Sequence, residues 1–142
     1  MPVRPRTIPR KQPSQERSKA TVDTILAATA RVLVREGYDR TSTNKVAAAA
    51  GVSVGSLYQY FPSKEALVAA LIEDHSMKML TIVEANANSY MNAPLPVAVR
   101  GVVKTMIEVH RVDPVLHRVL IEQVTHVPAR VDAAVTRHGI EP

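Results

Sequence analysis

The chain contains no cysteine and no long apolar run. Without cysteine, a disulfide framework, a thiolate metal ligand and a cysteine nucleophile are all excluded. A membrane-spanning helix needs roughly 18 or more apolar residues in succession, and the sequence nowhere provides them. The basic N-terminus is not followed by the apolar segment that a secretion signal requires. These absences favour a cytoplasmic protein that acts away from the membrane.

Catalytic and metal-binding patterns are missing as well. The five histidines include no pair at i, i+4 and no carboxylate at metal-ligand spacing. We find no glycine-rich phosphate loop, nucleophile elbow or paired carboxylates. The sequence therefore predicts no catalytic residue, no cofactor and no metal site. Alternating strand patterns are also absent, which favours an all-α fold.

Charge is distributed unevenly along the chain. Residues 1–64 hold eleven Lys and Arg against four Asp and Glu, which gives +7, and the remaining residues give −2, which sums to the net +5. A basic segment of this kind is typical of nucleic-acid binding, because neutralised phosphates release condensed counterions. On charge alone, a merely solvated basic surface is an equally good interpretation.

Proline spacing and apolar periodicity divide the chain. Four prolines among basic residues predict a flexible basic arm over residues 1–14, which either follows DNA or is a disordered leader. Beyond it, apolar stripes at helical spacing predict a succession of helices. Their expected ranges are about 15–36, 43–50, 54–61, 63–88, 99–110, 115–124 and 129–137. A break near Ser76 is left open, and Gly37 and Gly51 suit left-handed C-caps.

The short helices over 43–50 and 54–61, joined at Gly51, have the layout of a helix-turn-helix. In the second of them, Val54, Leu57 and Phe61 share the predicted inner face. Gly55, Ser56, Gln59 and Tyr60 are predicted to face outward, with Tyr58 on the flank.

The outward side chains suit contacts with DNA. Gly55 and Ser56 lack bulk, and Gln59 can pair bidentately with adenine in the major groove. Tyr58 and Tyr60 can donate hydroxyls to phosphates. Four further residues are predicted to contact the flanking sugar-phosphate backbone: Thr43, Asn44, Lys45 and Lys64. Half-buried packing between helices for Tyr58 and Tyr60, and simple solvation for Lys64, are the alternatives.

The order of these residues resembles the signature of the TetR family. The resemblance rests on Thr43-Asn44-Lys45-Val46-Ala47, on Ala50-Gly51-Val52-Ser53, on Gly55-Ser56-Leu57-Tyr58 and on Tyr60-Phe61-Pro62-Ser63-Lys64-Glu65-Ala66-Leu67. It implies an all-α protein with a three-helix DNA-binding head over 15–62 and a helical ligand-binding and dimerising body over 63–142. The residues that correspond in position to DNA contacts are Thr43, Asn44, Val54, Gly55, Ser56, Tyr58, Gln59, Tyr60 and Lys64.

The resemblance also implies a mode of action. Family members mostly repress a promoter as homodimers on a near-palindromic operator, and a small-molecule effector releases them. Two recognition helices would then meet successive major grooves about 34 Å or more apart. Because members of the family continue into two further dimerising helices, the body is expected to be truncated. A truncated helical interaction or ligand-binding protein with only non-specific DNA affinity is the alternative.

An effector pocket is expected among the helices of the body. The candidate lining residues are Met79, Val103, Met106, His110 and Val124, of which His110 stands out as a polar group on an apolar stripe. Plain core packing explains methionine and valine at this spacing equally well. The effector itself is not identifiable from the sequence.

Overall fold

The computed structural model describes residues 16–123, which form six α-helices and no β-strand. The helices are α1 (Glu16–Glu36), α2 (Thr43–Ala50), α3 (Val54–Tyr60), α4 (Lys64–Tyr90), α5 (Leu95–His110) and α6 (Pro114–Gln123). The predicted all-α class is confirmed over this part of the chain. The predicted arm over 1–14, the helix over 129–137 and Val124 lie outside the described residues.

The main core joins α1, α2, α3 and the start of α4. It contains Ile25, Val32 and Leu33 of α1, none of which is accessible to solvent, together with apolar residues of the next three helices. Leu116 of α6 belongs to the same cluster. Burying each such side chain contributes about 1.5–3 kcal/mol. The three-helix head (α1–α3) and the body (α4–α6) therefore share one continuous core.

Local signals fix the turn between α2 and α3. The side chain of Ser42 accepts a hydrogen bond from the Lys45 amide at the N-terminus of α2, and Ser53 does the same for Ser56 at α3. Gly51 ends α2 with φ 69°, in the left-handed region, as predicted. Gly37 ends α1 with φ 80°.

Helix α4 runs without interruption from Lys64 to Tyr90. The break near Ser76 that the sequence left open does not occur. Ser63 caps its N-terminus by accepting a hydrogen bond from the Ala66 amide, and Glu65 in the first turn complements the helix dipole. Over residues 16–123, no helix combines the length and the apolar character needed to cross a membrane.

The orientation of α5 differs from the prediction. Its apolar stripe is exposed, with Val103 at 53% and Met106 at 46%, whereas Thr105 and Val109 are buried. The contact with α4 runs along the i, i+4, i+8 line that begins at Gly101. A Cβ at Gly101 would lie 2.6 Å from Cδ1 of Tyr90, so only glycine permits this approach. Close packing through small residues therefore decides which face of α5 is buried.

The residue before α6 has an unusual backbone conformation. Asp113 has φ 48°, and it precedes Pro114, which disfavours right-handed helical geometry at that position. Its Oδ1 accepts a hydrogen bond from the Leu116 amide (3.1 Å). Its carbonyl accepts one from the His117 amide (3.0 Å). Asp113 thereby ends the turn after α5 and caps α6.

Replacement of Gly51 by alanine tests the left-handed turn. No atom lies within 4 Å of a Cβ at this position, so the expected loss is backbone strain alone, roughly 1–2 kcal/mol of unfolding free energy. Chemical denaturation measures it.

Gly55→Ala is the matched control, because Gly55 is helical and its Cβ would meet only Ser53 Oγ at 4.0 Å. That variant is expected to keep or gain stability, by up to about 1 kcal/mol. Equal destabilisation by both variants would contradict the role given to Gly51.

Candidate DNA-binding surface

Helix α3 presents a polar face to solvent and buries the opposite one. Leu57 and Phe61 are 0% and 2% exposed and lie in the core, whereas Gly55 and Gln59 are exposed, as predicted. The Gln59 side chain makes no hydrogen bond to any described residue, so its amide oxygen and nitrogen are available to an external partner. The predicted separation of an inner and an outer face is confirmed for these four residues.

Two residues of α3 depart from the predicted faces. Tyr60 is buried at 8% exposure and belongs to the core, although the sequence analysis placed it outward. It follows Leu57 by three residues, and the helical period carries it back toward the buried side. Val54 was assigned to the inner face but is 37% exposed, because it lies in the first turn at the edge of the core. The burial of Tyr60 agrees with the alternative of packing between helices, its phosphate contact stays a prediction, and Val54 is accessible.

A hydroxyl pair links α2 and α3 on the outer surface. The Thr43 Oγ1 and Tyr58 OH atoms are 3.2 Å apart, and either can be the donor. Tyr58 is 36% exposed, so its side chain is partly packed and partly accessible, which agrees with both interpretations of it. Asn44, next to Thr43, is exposed. The pair fixes the relative position of two residues that the sequence analysis assigned separately to phosphate contacts.

The Ser56 hydroxyl is also held in place. Ser53 Oγ donates to Ser56 Oγ at 2.9 Å while accepting from the Ser56 amide at 3.1 Å. In this arrangement, the hydrogen of Ser56 Oγ stays available for a further acceptor. Ser56 is half-buried at the edge of the polar face.

The Lys45 ammonium is engaged within the protein. Its Nζ lies 2.8 Å from Glu36 Oε2 and donates to the Arg40 carbonyl, also at 2.8 Å. The hydrogen bond from Lys45 is the main cause that holds the pKa of Glu36 below its ordinary value of 4.5. Lys45 thus joins the end of α1 to α2 and secures the loop between them, a role that the sequence analysis did not identify.

Lys64 is neither simply solvated nor directed freely outward. Its Nζ donates to the Tyr38 carbonyl at 3.0 Å and lies 4.3 Å from the centroid of the Tyr38 ring, within cation–π range. Because an ammonium has three donors, Lys64 keeps donors for a phosphate. Burial is the main cause that raises the pKa of Tyr38.

Sequence reasoning missed Tyr38 and Glu36 as supports of this surface. Neither residue belongs to an apolar period or to a motif, and each acts through a partner distant in sequence or across a turn. The adjacency of Glu36 to the Gly37 cap was the one available signal, because a carboxylate at a helix end opposes the helix dipole unless a cation compensates it.

The candidate effector residues are only partly brought together. Val103, Met106 and His110 line one shallow depression on the outer surface of α5, together with Val102, Ile107 and Arg111. Met79 is half-buried on α4 and does not line it. The apolar stripe of α5 faces away from α4, so the described residues do not bring these candidates into one internal pocket, and the effector pocket stays a prediction.

Acidification tests the contact between Glu36 and Lys45. Since the folded pKa of Glu36 is lowered, its contribution to stability is present above pH 4.5 and is lost as pH falls through the folded value. Lys45→Met should therefore show a smaller loss of stability than the unchanged protein between neutral and acid pH in denaturant titrations. Parallel pH profiles for the two proteins would contradict the coupling.

Comparison with known proteins agrees with this geometry. The model of the TetR family of bacterial regulatory proteins matches residues 25–71, from the middle of α1 into α4. The chain is 36% identical over 85 residues to the nucleoid occlusion factor SlmA of Haemophilus ducreyi, an alignment that covers 60% of this chain and 41% of that protein. The chain thus spans less than half the length of the curated relatives that it matches.

Solved structures extend the similarity into the body. A TetR-family transcriptional regulator of Haemophilus influenzae, HI0893, superposes with TM-score 0.66 at 23% identity, covering 90% of this chain and 67% of that one. The flavonoid-responsive regulator FrrA gives TM-score 0.59 at 28% identity, with 78% of this chain and 56% of that one covered. Both superpositions cover more of the chain than the family-model match over residues 25–71. On these comparisons, residues 25–71 match the domain of the TetR family of bacterial regulatory proteins, and the described helices have the fold of solved TetR-family structures.

Proposed function

We propose that the chain is a sequence-specific DNA-binding repressor that places α3 in the major groove of its operator and is released by a small-molecule effector. The observation that carries this proposal is the outer face of α3. Gly55 and Gln59 lie exposed on a short helix whose opposite side is anchored in the core. A buried anchor makes the exposed face rigid, and rigidity is what direct readout of base edges requires.

Within this proposal, Gln59 reads a base. Its free amide can donate to N7 of adenine and accept from the N6 amino group in a bidentate pair, which discriminates by about 1–3 kcal/mol against another base. Gly55 on the same face keeps the helix backbone close to the base edges. Ser56 offers its remaining hydroxyl hydrogen to a base or phosphate acceptor.

Residues around α3 supply contacts to the sugar-phosphate backbone. Tyr58 and Thr43 share a hydroxyl pair at the junction of α2 and α3, and Asn44 is exposed beside them. Lys64, at the start of α4 beyond the C-terminal end of α3, keeps donors for a phosphate. Contacts of this kind set the register of a protein on the duplex without reading sequence. The +7 charge of residues 1–64 favours the encounter with DNA.

The proposal also includes dimerisation of the protein and its release from the operator. A homodimer would present two copies of α3 to successive major grooves and would require a near-palindromic operator. The flavonoid-responsive regulator similar to this chain supports control by a small organic molecule bound to the body. A helical protein with only non-specific DNA affinity remains the second candidate, and it is favoured by the exposed apolar strip on α5, which a folded regulator would have to cover.

Selection of bound fragments from genomic DNA, followed by footprinting, tests the proposal directly. A repressor of this kind should enrich a few fragments and protect a near-palindrome on each. Its affinity for those fragments should exceed its affinity for random DNA by roughly a thousandfold or more. Enrichment of no particular sequence, with affinity set by salt alone, would instead favour the second candidate.

Gln59→Ala isolates base readout. On a selected fragment we expect affinity to fall by about 5- to 150-fold, since one bidentate base contact contributes about 1–3 kcal/mol. Affinity for random DNA should stay unchanged. Asn88→Ala removes another exposed amide, on α4 far along the chain from α3, and it serves as the control that leaves both affinities unchanged. An equal loss on selected and random DNA would remove Gln59 from the reading face.

Gly55→Ala separates stability from DNA binding. The added methyl group meets no tight contact inside the protein, so thermal stability should hold or rise. Between α3 and the duplex, however, it should lower operator affinity by about tenfold, the equivalent of roughly 1.4 kcal/mol. Fluorescence anisotropy with a labelled fragment measures the loss. Undiminished binding would show that this part of α3 does not approach DNA closely.

A further inference from the structure

Helix α6 is attached to the rest of the protein by two polar contacts, one near its middle and one at its end. In the first, His117 meets His75 of α4, with Nδ1 and Nε2 3.1 Å apart. In the second, the Gln123 Oε1 atom accepts a hydrogen bond from the Tyr38 amide at 3.0 Å. The first contact ties α6 to the long helix of the body, and the second ties it to the DNA-binding head.

The first contact lies in a cluster of imidazoles drawn from three helices. His75 of α4 and His117 of α6 have ring centroids 5.3 Å apart, and His110 of α5 approaches His117 edge-on at 5.7 Å. His75 is only 4% exposed. The Nδ1 of His110 is engaged by its own helix, 2.7 Å from the Met106 carbonyl. His75 and His117 therefore form the hydrogen-bonded pair, with His110 as a third neighbour.

Hydrogen bonding in this pair depends on protonation. One of the two facing nitrogens must donate while the other keeps a lone pair. A neutral pair meets this requirement, and so does a pair that carries one extra proton. When both imidazoles are protonated, two N–H groups face each other across 3.1 Å and the hydrogen bond is lost. Two positive charges then replace it.

Charged residues of three elements line one cleft of about 780 Å³ together with His75. They are Asp74 and Lys78 of α4, Asp113 at the start of α6, and Lys19, Asp23 and Arg31 of α1. Lys78 and Asp74 pair with each other at 2.7 Å. Burial is the main cause that lowers the pKa of His75, and His117 lowers it further, while Asp113 and Asp74 oppose the shift. Folded His75 thus resists protonation.

The second contact leads directly to the candidate DNA-binding surface. Tyr38, whose amide is held by Gln123, uses its own carbonyl and ring to hold Lys64. Lys64 is the first residue of α4, and three residues separate it from the end of α3. A displacement of α6 would therefore remove the support of Tyr38 and loosen Lys64 beside the reading helix.

We propose that α6 is a proton-responsive connection between the body and the DNA-binding head, closed while the His75–His117 pair holds at most one extra proton and released when both imidazoles are protonated. The regulatory consequence, weaker operator binding in acid, rests on the function proposed above. The opening of α6 itself does not.

The sign of the pH dependence follows from burial. Because the folded state binds protons at His75 less readily than the opened state, the closed form is favoured above the ordinary imidazole pKa of 6.5 and is lost as pH falls below it. Each proton taken up changes the opening equilibrium by at most about tenfold per pH unit. Between about pH 7.5 and pH 5.5, we expect opening to increase by about tenfold or more.

Hydrogen exchange of the Tyr38 amide in the full chain measures this opening without any DNA. Protection factors, which correct for the intrinsic pH dependence of exchange, should fall by about tenfold across this pH range. NMR titration of the imidazole carbons in the same sample should give a midpoint for His75 or His117 that coincides with the fall. A constant Tyr38 protection factor, or a fall that follows neither imidazole, would overturn the proposal.

His117→Gln and His110→Gln form a matched pair of variants. Glutamine at 117 cannot titrate, and its oxygen or amide can bond to either protonation state of His75. The Tyr38 protection factor should therefore fall less with acid than in the unchanged protein, and the burial of His75 sets the fall that remains. His110→Gln should keep the pH dependence, because His110 lies outside the hydrogen bond. The reverse result would disprove the assignment of the sensing pair. If His117→Gln does not fold, the coincident titrations in the unchanged protein decide the question.

A final experiment measures the binding of a selected DNA fragment at about pH 7.5 and pH 6, at constant ionic strength. Affinity should fall more steeply with acid in the unchanged protein than in His117→Gln. Gln123→Ala, which removes the acceptor for the Tyr38 amide, should bind weakly at both pH values, and Gln123→Glu should restore binding at the higher one. Failure of every protein to bind a specific fragment would refute the proposed function and leave the exchange result standing on its own.

Discussion

The burial of one side of α3 in the core that it shares with α1, α2 and the start of α4 is the interaction on which the rest of the structure depends. Leu57 and Phe61 lie fully inside the core with Ile25 and Val32. A seven-residue helix has too little intrinsic stability to persist alone, so these tertiary contacts provide its structure. Because one side is fixed, the opposite side is fixed too, and Gly55 and Gln59 point to solvent as a consequence.

Two of the basic side chains that the formal charge counts are bound to groups within the protein. Lys45 is bound to Glu36, and Lys64 rests on Tyr38. Both lysines therefore stabilise the loops on either side of the helix-turn-helix before any polyanion approaches. Side chains that are held in advance lose less conformational entropy when they bind, which partly offsets having fewer free cations. Counting basic residues identifies the right half of the chain but overestimates its free charge.

The sequence was sufficient where structure is determined by local signals. Hydroxyl caps at Ser42 and Ser53 and the glycine turn at Gly51 act within three or four residues, so the bounds of α2 and α3 could be predicted closely. The inner and outer faces of α3 followed from helical periodicity, apart from Tyr60 and Val54 at the borders. These elements also carry most of the candidate DNA-binding surface.

Prediction failed where the fold depends on contacts between distant residues. An apolar stripe indicates a buried face, but α5 packs on α4 through Gly101, Thr105 and Val109, since the glycine allows an approach that large side chains prevent. The His75–His117 pair joins residues 42 positions apart. The support of Lys64 by Tyr38 spans 26 positions. No periodicity within a single helix encodes such pairs.

The uninterrupted length of α4 has a mechanical consequence. At 1.5 Å per residue, its 27 residues extend about 40 Å. A rotation of about 5° around its far end would move its first residue by about 3.5 Å, close to the 3.4 Å rise between successive bases on one DNA strand. In the proposed DNA complex, a small rotation of this long helix would therefore shift the head by about one base step. The rotation itself is too small to disturb the hydrogen bonds within α4.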